Sequence, residues 1–192
     1  GNRLGGKTLF DLLGVGRSAG KQIEEMLSQG LEQRAASETD LNAAMVRLNR
    51  LNESSSGEGV PELRVELQNT MQNHFGVFRR GDFMQEGIKK LEVLRERIKN
   101  VHLEDKSQTF NTARIEALEL ENLFEVAEAT AIAAEARNES RGAHARDDFR
   151  ERDDDNWLCH SMYYPGEKSV GKRAVNFKPK TVDTFEPQIR TY

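Results

Sequence analysis

Arg3 stands before Leu4 and two glycines, at the head of a stretch that reads as a helix from Thr8 onward. A guanidinium is permanently charged and forked, so it can clamp a carboxylate through two parallel hydrogen bonds. Gly5 and Gly6 remove side-chain bulk where a planar ligand would approach the backbone. The amides of Thr8 and Leu9 fall among the N-terminal donors of that helix, at its partially positive end, which favours negative charge. A plainer reading has Arg3 paired with a local carboxylate and the glycines merely turning the chain. On the residues alone both readings stand.

A second concentration of reactive side chains lies between Glu139 and Ser161. Glu139-Ser-Arg-Gly-Ala-His144 runs into Ala145-Arg-Asp-Asp-Phe149, and then into Glu151-Arg-Asp-Asp-Asp-Asn-Trp157-Leu-Cys-His-Ser161. A solvated helix face would scatter its charges at helical spacing. This run instead packs acids and arginines densely around the chain's single tryptophan.

Other chemistries lack their residues. His74, His102, His144 and His160 show no metal-ligand spacing, and one cysteine cannot supply a thiolate cage. Cys159 and His160 are adjacent, which in an extended segment points them to opposite faces and makes a poor nucleophile–base pair. His74, among Gln and Asn, reads as a satisfied structural group. Gly5-Gly6-Lys7-Thr8 resembles the end of a phosphate loop but lacks the preceding glycine at the required spacing.

The elements that must position these groups fall into three parts: residues 1–36, 37–140 and 141–192. The first carries a helix apolar at 9, 10, 12, 13 and 15, more than one face can hide on a small partner. Gly16 and Gly20 stand four apart, where another backbone could approach. In the middle part, Ser37-Glu-Thr-Asp40 starts a helix with Leu41, Met45, Leu48 and Leu51 on one stripe. Pro61 opens a second, carrying Leu63, Leu67, Met71, Phe75 and Phe78. Phe83, Ile88, Leu91, Leu94, Ile98 and Val101 mark a third. A fourth, from about Thr112 to Glu139, shows Ile115, Leu118, Leu123 and Val126 before an alanine-rich half. Four such helices with short loops predict an antiparallel bundle, so the expected fold class is mostly α. The last part is an extended tail with short strands expected at 159–164, 172–177, 180–184 and 187–191, and Pro165-Gly166 as a turn. Its apolar content is too small for a core of its own.

Composition narrows the classes further. Charged residues make up 31% with both signs mixed, and the net charge is −4, which argues against nucleic acid as a partner. One cysteine excludes an internal disulfide framework and fits a reducing compartment. No apolar run approaches the roughly 20 residues that span a bilayer.

The run from Glu139 to Ser161, Lys172-Arg-Ala-Val-Asn-Phe-Lys-Pro-Lys180, the ending Phe185-Glu-Pro-Gln-Ile-Arg-Thr-Tyr192 and Asn2-Arg-Leu-Gly-Gly6 together resemble the C-terminal part of the succinate dehydrogenase/fumarate reductase flavoprotein family. The resemblance covers essentially the whole chain. It implies that Arg3 binds a carboxylate of the dicarboxylate substrate, succinate or fumarate, and that Thr8 and Leu9 contact the FAD. It places the dinucleotide-binding domain, the flavin-linked histidine and the proton-transferring arginine upstream, so no catalytic residue is expected in this chain. Residues 1–36 would be the edge of the flavin-binding domain, 37–140 a helical bundle domain and 141–192 the tail. The implied partners are an iron–sulfur subunit and, through it, membrane-anchor subunits, with no span of its own. The implied location is the cytoplasmic face of a bacterial inner membrane, with the matrix side of the mitochondrial inner membrane second.

Some positions depart from the family pattern. Lys7-Thr8 stands for the usual Asn-Ser, Leu13-Gly14-Val15 for a bulkier Val-Val-Phe, and Arg150 where proline is frequent. Phe10-Asp11, where fumarate reductases usually carry Ala-Glu, favours succinate dehydrogenase; aspartate oxidase shares Glu-Ser-Arg-Gly but not the ending. From a different class, the piece could serve purely as a helical interaction module. The isolated chain is expected to be inactive. A soluble helical core is expected, with residues 1–28 and the tail disordered, swapped with a neighbour or covered by protein outside this chain.

Overall fold

A computed structural model describes residues 7–178 and 183–188. The described chain is mostly α, with α1 (Lys7–Ser28), α2 (Glu38–Glu53), α3 (Val60–Phe75), β1 (Phe78–Arg79), α4 (Gly81–Ile98), α5 (Thr112–Ala136), β2 (Ala145–Arg146), α6 (Asp154–Trp157), β3 (Cys159–Tyr164) and β4 (Ser169–Ala174) in order.

The core sits among α3, α4 and α5. Pro61 lies in the first turn of α3, where its missing N–H costs nothing, and Leu63, Leu67 and Phe75 are buried at helical spacing behind it. Met84, Leu91, Leu94 and Ile98 of α4 meet them. Burying a side chain of this size stabilises by roughly 1.5–3 kcal/mol. Polar pairs set the direction of packing. Arg97 reaches Glu66 at 2.7 Å and His74 accepts from Lys90 at 2.9 Å, so α3 and α4 run antiparallel. Gln85 reaches Glu135 at 3.2 Å while Arg95 pairs with Glu128, so α4 and α5 do the same. Gly87 is buried where α4 approaches α3: a Cβ there would lie 2.5 Å from that of His74.

Details of α3 and α5 differ from the sequence expectation. The α3 stripe ends at Phe75, because Gly76 stops the helix; Phe78 belongs to β1 and is exposed. On α5 the core face is Ala117, Leu120, Phe124, Ala127, Ala131 and Ala134, whereas Ile115, Leu123 and Val126 face outward. The helix is apolar on two sides, and its neighbours chose the alanine-lined one, where backbones pack closest. Asn111 caps its start, accepting from the Arg114 amide at 2.8 Å.

α2 lies beside this core and buries only Leu51 of its expected stripe. The described side chains of α1 from Asp11 to Ser28 are all exposed, and a Cβ at Gly14, Gly16 or Gly20 would meet nothing within 4 Å.

In the tail, β3 and β4 form an antiparallel hairpin in register from Cys159↔Ala174 to Tyr164↔Ser169. The first strand lies where expected; the second precedes its expected span of 172–177 by three residues. Residues 183, 184, 187 and 188 form no strand, and the rest of the last two expected strands lies outside the described residues, apart from unstranded 185–186 between them. This part of the tail is neither disordered nor dependent on protein outside the chain: the hairpin rests on α5, with the Tyr163 hydroxyl donating to Glu128 at 2.9 Å. Burial and that carboxylate push the Tyr163 hydroxyl up to about 12. Among the described residues, no helix is long and apolar enough to cross a membrane.

Candidate functional site

Arg3, the expected substrate clamp, lies outside the described residues. Thr8 and Leu9 do lie in the first turn of α1, as the sequence places them, and both are exposed. Their amides sit at the partially positive end of a helix of 22 residues. That turn can offer N–H donors to an electron-rich ring edge.

The run from Glu139 to Ser161 forms a joint that ties the end of α5 to the start of α4 and to the tail. The motif Ser140-Arg-Gly-Ala-His144 closes on itself: the Arg141 amide donates to the His144 carbonyl at 2.8 Å, and the reverse bond is 3.0 Å. Gly142 takes φ +61° in that turn, where a side chain would be strained. The turn delivers Ala145 and Arg146 to pair in parallel with Phe78 and Arg79.

Arg146 is buried and forks onto Asp148, with Nε to Oδ1 at 2.7 Å and Nη2 to Oδ2 at 2.9 Å. Its Nη1 donates to the carbonyls of Glu135 at 3.0 Å and Arg137 at 3.2 Å, at the C-terminal end of α5. Asp148 in turn accepts from the Gly81 amide at 2.8 Å, at the start of α4. One ion pair thus places its cation on a negative helix end and its anion on a positive one. The Arg146 hydrogen bond, with the Gly81 amide, holds the Asp148 carboxyl well below the usual range.

Glu139 is fully buried and saturated. Arg141 forks onto it at 2.8 and 3.0 Å, Arg137 donates to it, and the Asp153 amide donates at 2.9 Å. Burial alone would raise its carboxyl, but those bonds together outweigh burial and lower it. Arg137 also donates to the carbonyls of Trp157 at 3.0 Å and Cys159 at 2.6 Å.

His144 takes a defined tautomer. Arg79 Nη1 lies 2.8 Å from Nδ1 and can only donate, so Nδ1 is the bare acceptor and Nε2 donates to the Arg137 carbonyl at 3.0 Å. Burial, and then the nearby Arg79, Arg146 and Arg137, push this imidazole below its ordinary value.

The joint is a brace, since Glu139 and Asp148 are both held in the charged form and occupied by their partners. Among the described residues no three metal-ligating side chains gather. His74 is satisfied as expected, by the Phe83 carbonyl at 2.8 Å and by Lys90. The sequence reading missed Arg79 and Arg137 as members of the joint. Both lie outside the conspicuous run, and Arg137's only signal is its place at the end of the alanine-rich helix.

A family model described as fumarate reductase flavoprotein C-term matches residues 64–192. A succinate dehydrogenase flavoprotein subunit of Coxiella burnetii is 46% identical over 189 residues, 98% of this chain and 32% of that protein. A fumarate reductase flavoprotein subunit of Haemophilus influenzae is 33% identical over 193 residues, 100% of this chain and 32% of its own length. Among solved structures, the Mycobacterium smegmatis Sdh1 complex in its apo form matches with a TM-score of 0.73 and 34% identity, over 91% of this chain and 30% of that one. The chain spans about a third of the length of the curated relatives it matches. With a family model over most of its length and relatives across nearly all of it, the chain belongs to the succinate dehydrogenase/fumarate reductase flavoprotein family and corresponds to its C-terminal region.

Proposed function

We propose that this chain is the C-terminal portion of a succinate dehydrogenase flavoprotein subunit, which oxidises succinate to fumarate and passes the electrons to an iron–sulfur subunit and a quinone. The observation that carries the reading is the 46% identity with the Coxiella burnetii succinate dehydrogenase subunit across 98% of the chain. Phe10-Asp11 supports it.

In this reading residues 1–36 are the edge of the flavin-binding domain, 37–140 the helical bundle domain and 141–192 the tail. The described residues fit one rim of a flavin site, since the exposed first turn of α1 presents its amides at a positive helix end. Thr8 and Leu9 would contact the FAD there, and Arg3 would hold one substrate carboxylate through its fork. FAD supplies the hydride acceptor when bound. The proton acceptor and the rest of the flavin site lie outside this chain. Membrane attachment, at the cytoplasmic face of a bacterial inner membrane, would come through anchor subunits bound to the iron–sulfur partner.

Arg3→Lys in the full-length subunit tests the site. The charge remains but the fork is lost, so turnover should fall by roughly a hundredfold or more while flavin absorbance is retained. Ordinary kinetics in that variant would remove Arg3 from the site. The Haemophilus influenzae relative, 33% identical, favours fumarate reduction as the second reading. Comparing succinate oxidation with fumarate reduction in the assembled enzyme separates the two.

A further inference from the structure

We propose that the trough between α2 and the C-terminal end of α4, floored by Ile98 and Phe124, binds a small amphipathic anion: a carboxylate on a flat or short-chain apolar body.

Glu121 of α5 is one carboxylate serving two guanidiniums. Arg47 Nε and Arg50 Nη2 both donate to it, and among the described residues neither arginine has another ion-pair partner. Their remaining bonds go to neutral acceptors. Arg47 Nη2 donates to the Leu118 carbonyl at 2.8 Å and to Asn122 at 2.9 Å, and Arg50 Nη1 donates to the Lys99 carbonyl. Arg47 Nη1 and Arg50 Nε have no acceptor among the described residues. One positive charge and several N–H donors are therefore left over, on side chains that are 39% and 32% exposed. Burial, and then the charge of Arg47, lower the Arg50 guanidinium, as expected of neighbouring cations that share too little negative charge. The other cations lining the trough are matched: Arg95 by Glu125 and Glu128, and Lys99 by Glu96.

The two arginines stand over an apolar space. With Ala43, Val46, Ile98 and Phe124 they line a cavity of about 440 Å³. That volume falls among small-ligand pockets, roughly 300–1,000 Å³, which combine apolar walls with a few convergent polar groups. Ile98 and Phe124 are 4% and 3% exposed, at the bottom, while Val46 at the mouth is 69% exposed. A bare inorganic anion would meet the charge but leave water against the apolar floor, where it finds no hydrogen-bond partners. A neutral apolar molecule would cover the floor and leave the charge unmet. An anion with an apolar body does both. Arg47 is fixed to α5 and Arg50 to the end of α4 by the bonds above, so the donors are in place before a ligand arrives.

The test uses 2-naphthoate as the probe, titrated by calorimetry into the purified full-length flavoprotein subunit with and without saturating fumarate. Saturable binding that fumarate does not displace is expected. The uncharged 2-naphthamide, of the same shape, should bind at least about tenfold more weakly, since it forms no charge-assisted bonds. Val46→Glu sets a carboxylate at the mouth, four residues before Arg50, where the two can pair along the helix. It should weaken naphthoate at least about tenfold, whereas Val46→Gln, of like size without the charge, should keep most of the affinity. Position 46 is exposed, so neither variant endangers the fold, and circular dichroism checks that. Binding that fumarate abolishes would belong to the substrate site and overturn the proposal. So would equal affinity for the amide, or a Val46→Glu protein that binds as the unaltered one does. The readout is binding alone, so it holds whichever direction the enzyme runs.

Discussion

Two regions of the helical bundle are held by opposite means. At the joint, apolar content is low, yet Glu139, Arg137, Arg141, Arg146 and Asp148 satisfy one another and three backbone segments. Along α1 and the first half of α2, apolar side chains are plentiful and most of them face outward. A saturated polar network fixes geometry within one chain. Apolar surface left over on the two helices points to a neighbour.

That contrast can be broken from the joint first. Glu139→Ala would leave two guanidiniums and the Asp153 amide facing an empty buried site. The expected loss is about 3–5 kcal/mol, read by urea denaturation. Next, Leu51→Ala removes the one fully buried side chain of α2 and should cost about 2–5 kcal/mol in the same assay.

A smaller effect is expected from acid. His144 is held neutral, with Arg79, Arg137 and Arg146 facing it and its folded value lowered. The unfolded chain takes up the proton first, so the stability His144 contributes is complete above the ordinary imidazole value of about 6.5 and fades as pH falls from there. Glu139 and Asp148, both lowered, act in the same direction through the carboxylate range. Hydrogen-exchange protection of residues 137–161, taken relative to the intrinsic rate at each pH, should therefore fall on acidification, and His144→Gln should flatten the first part of that dependence. The smallest effect sharpens the comparison: Leu41→Ala, at the exposed end of α2, should change the stability of the 192-residue chain by no more than about 0.5 kcal/mol.

Much of the helical architecture was legible in the sequence because its stripes are unambiguous. Leu63, Leu67 and Phe75, and Leu91, Leu94 and Ile98, repeat at helical spacing and are buried as that spacing requires. α5 was harder to orient. Ile115, Leu123 and Val126 are bulkier than the alanines opposite, but close helix approach rewards small side chains, so the alanine side was buried. α2 was recognisable as a helix; its shallow seat was not, because periodicity reports a face and not what covers it. The Glu139–Ser161 run announced itself by charge density. Which arginine meets which carboxylate depends on Arg79, sixty-five residues from His144 in the chain, and on Arg137, and no local pattern encodes such pairings. The family's site residues followed from the resemblance, with Arg3 lying beyond the described structure.

Trp157, the chain's only tryptophan, lies beneath Lys172 Nζ at 3.7 Å from its ring centre, with the Arg137 guanidinium at 5.1 Å. Its fluorescence therefore belongs to the joint alone, while far-ultraviolet circular dichroism is dominated by the long helices. Two optical signals from one sample then follow two parts of the molecule, and coincident melting curves would mean that brace and bundle come apart as a single cooperative unit. An emission change that precedes loss of ellipticity would time the release of the tail from α5 before any helix unwinds.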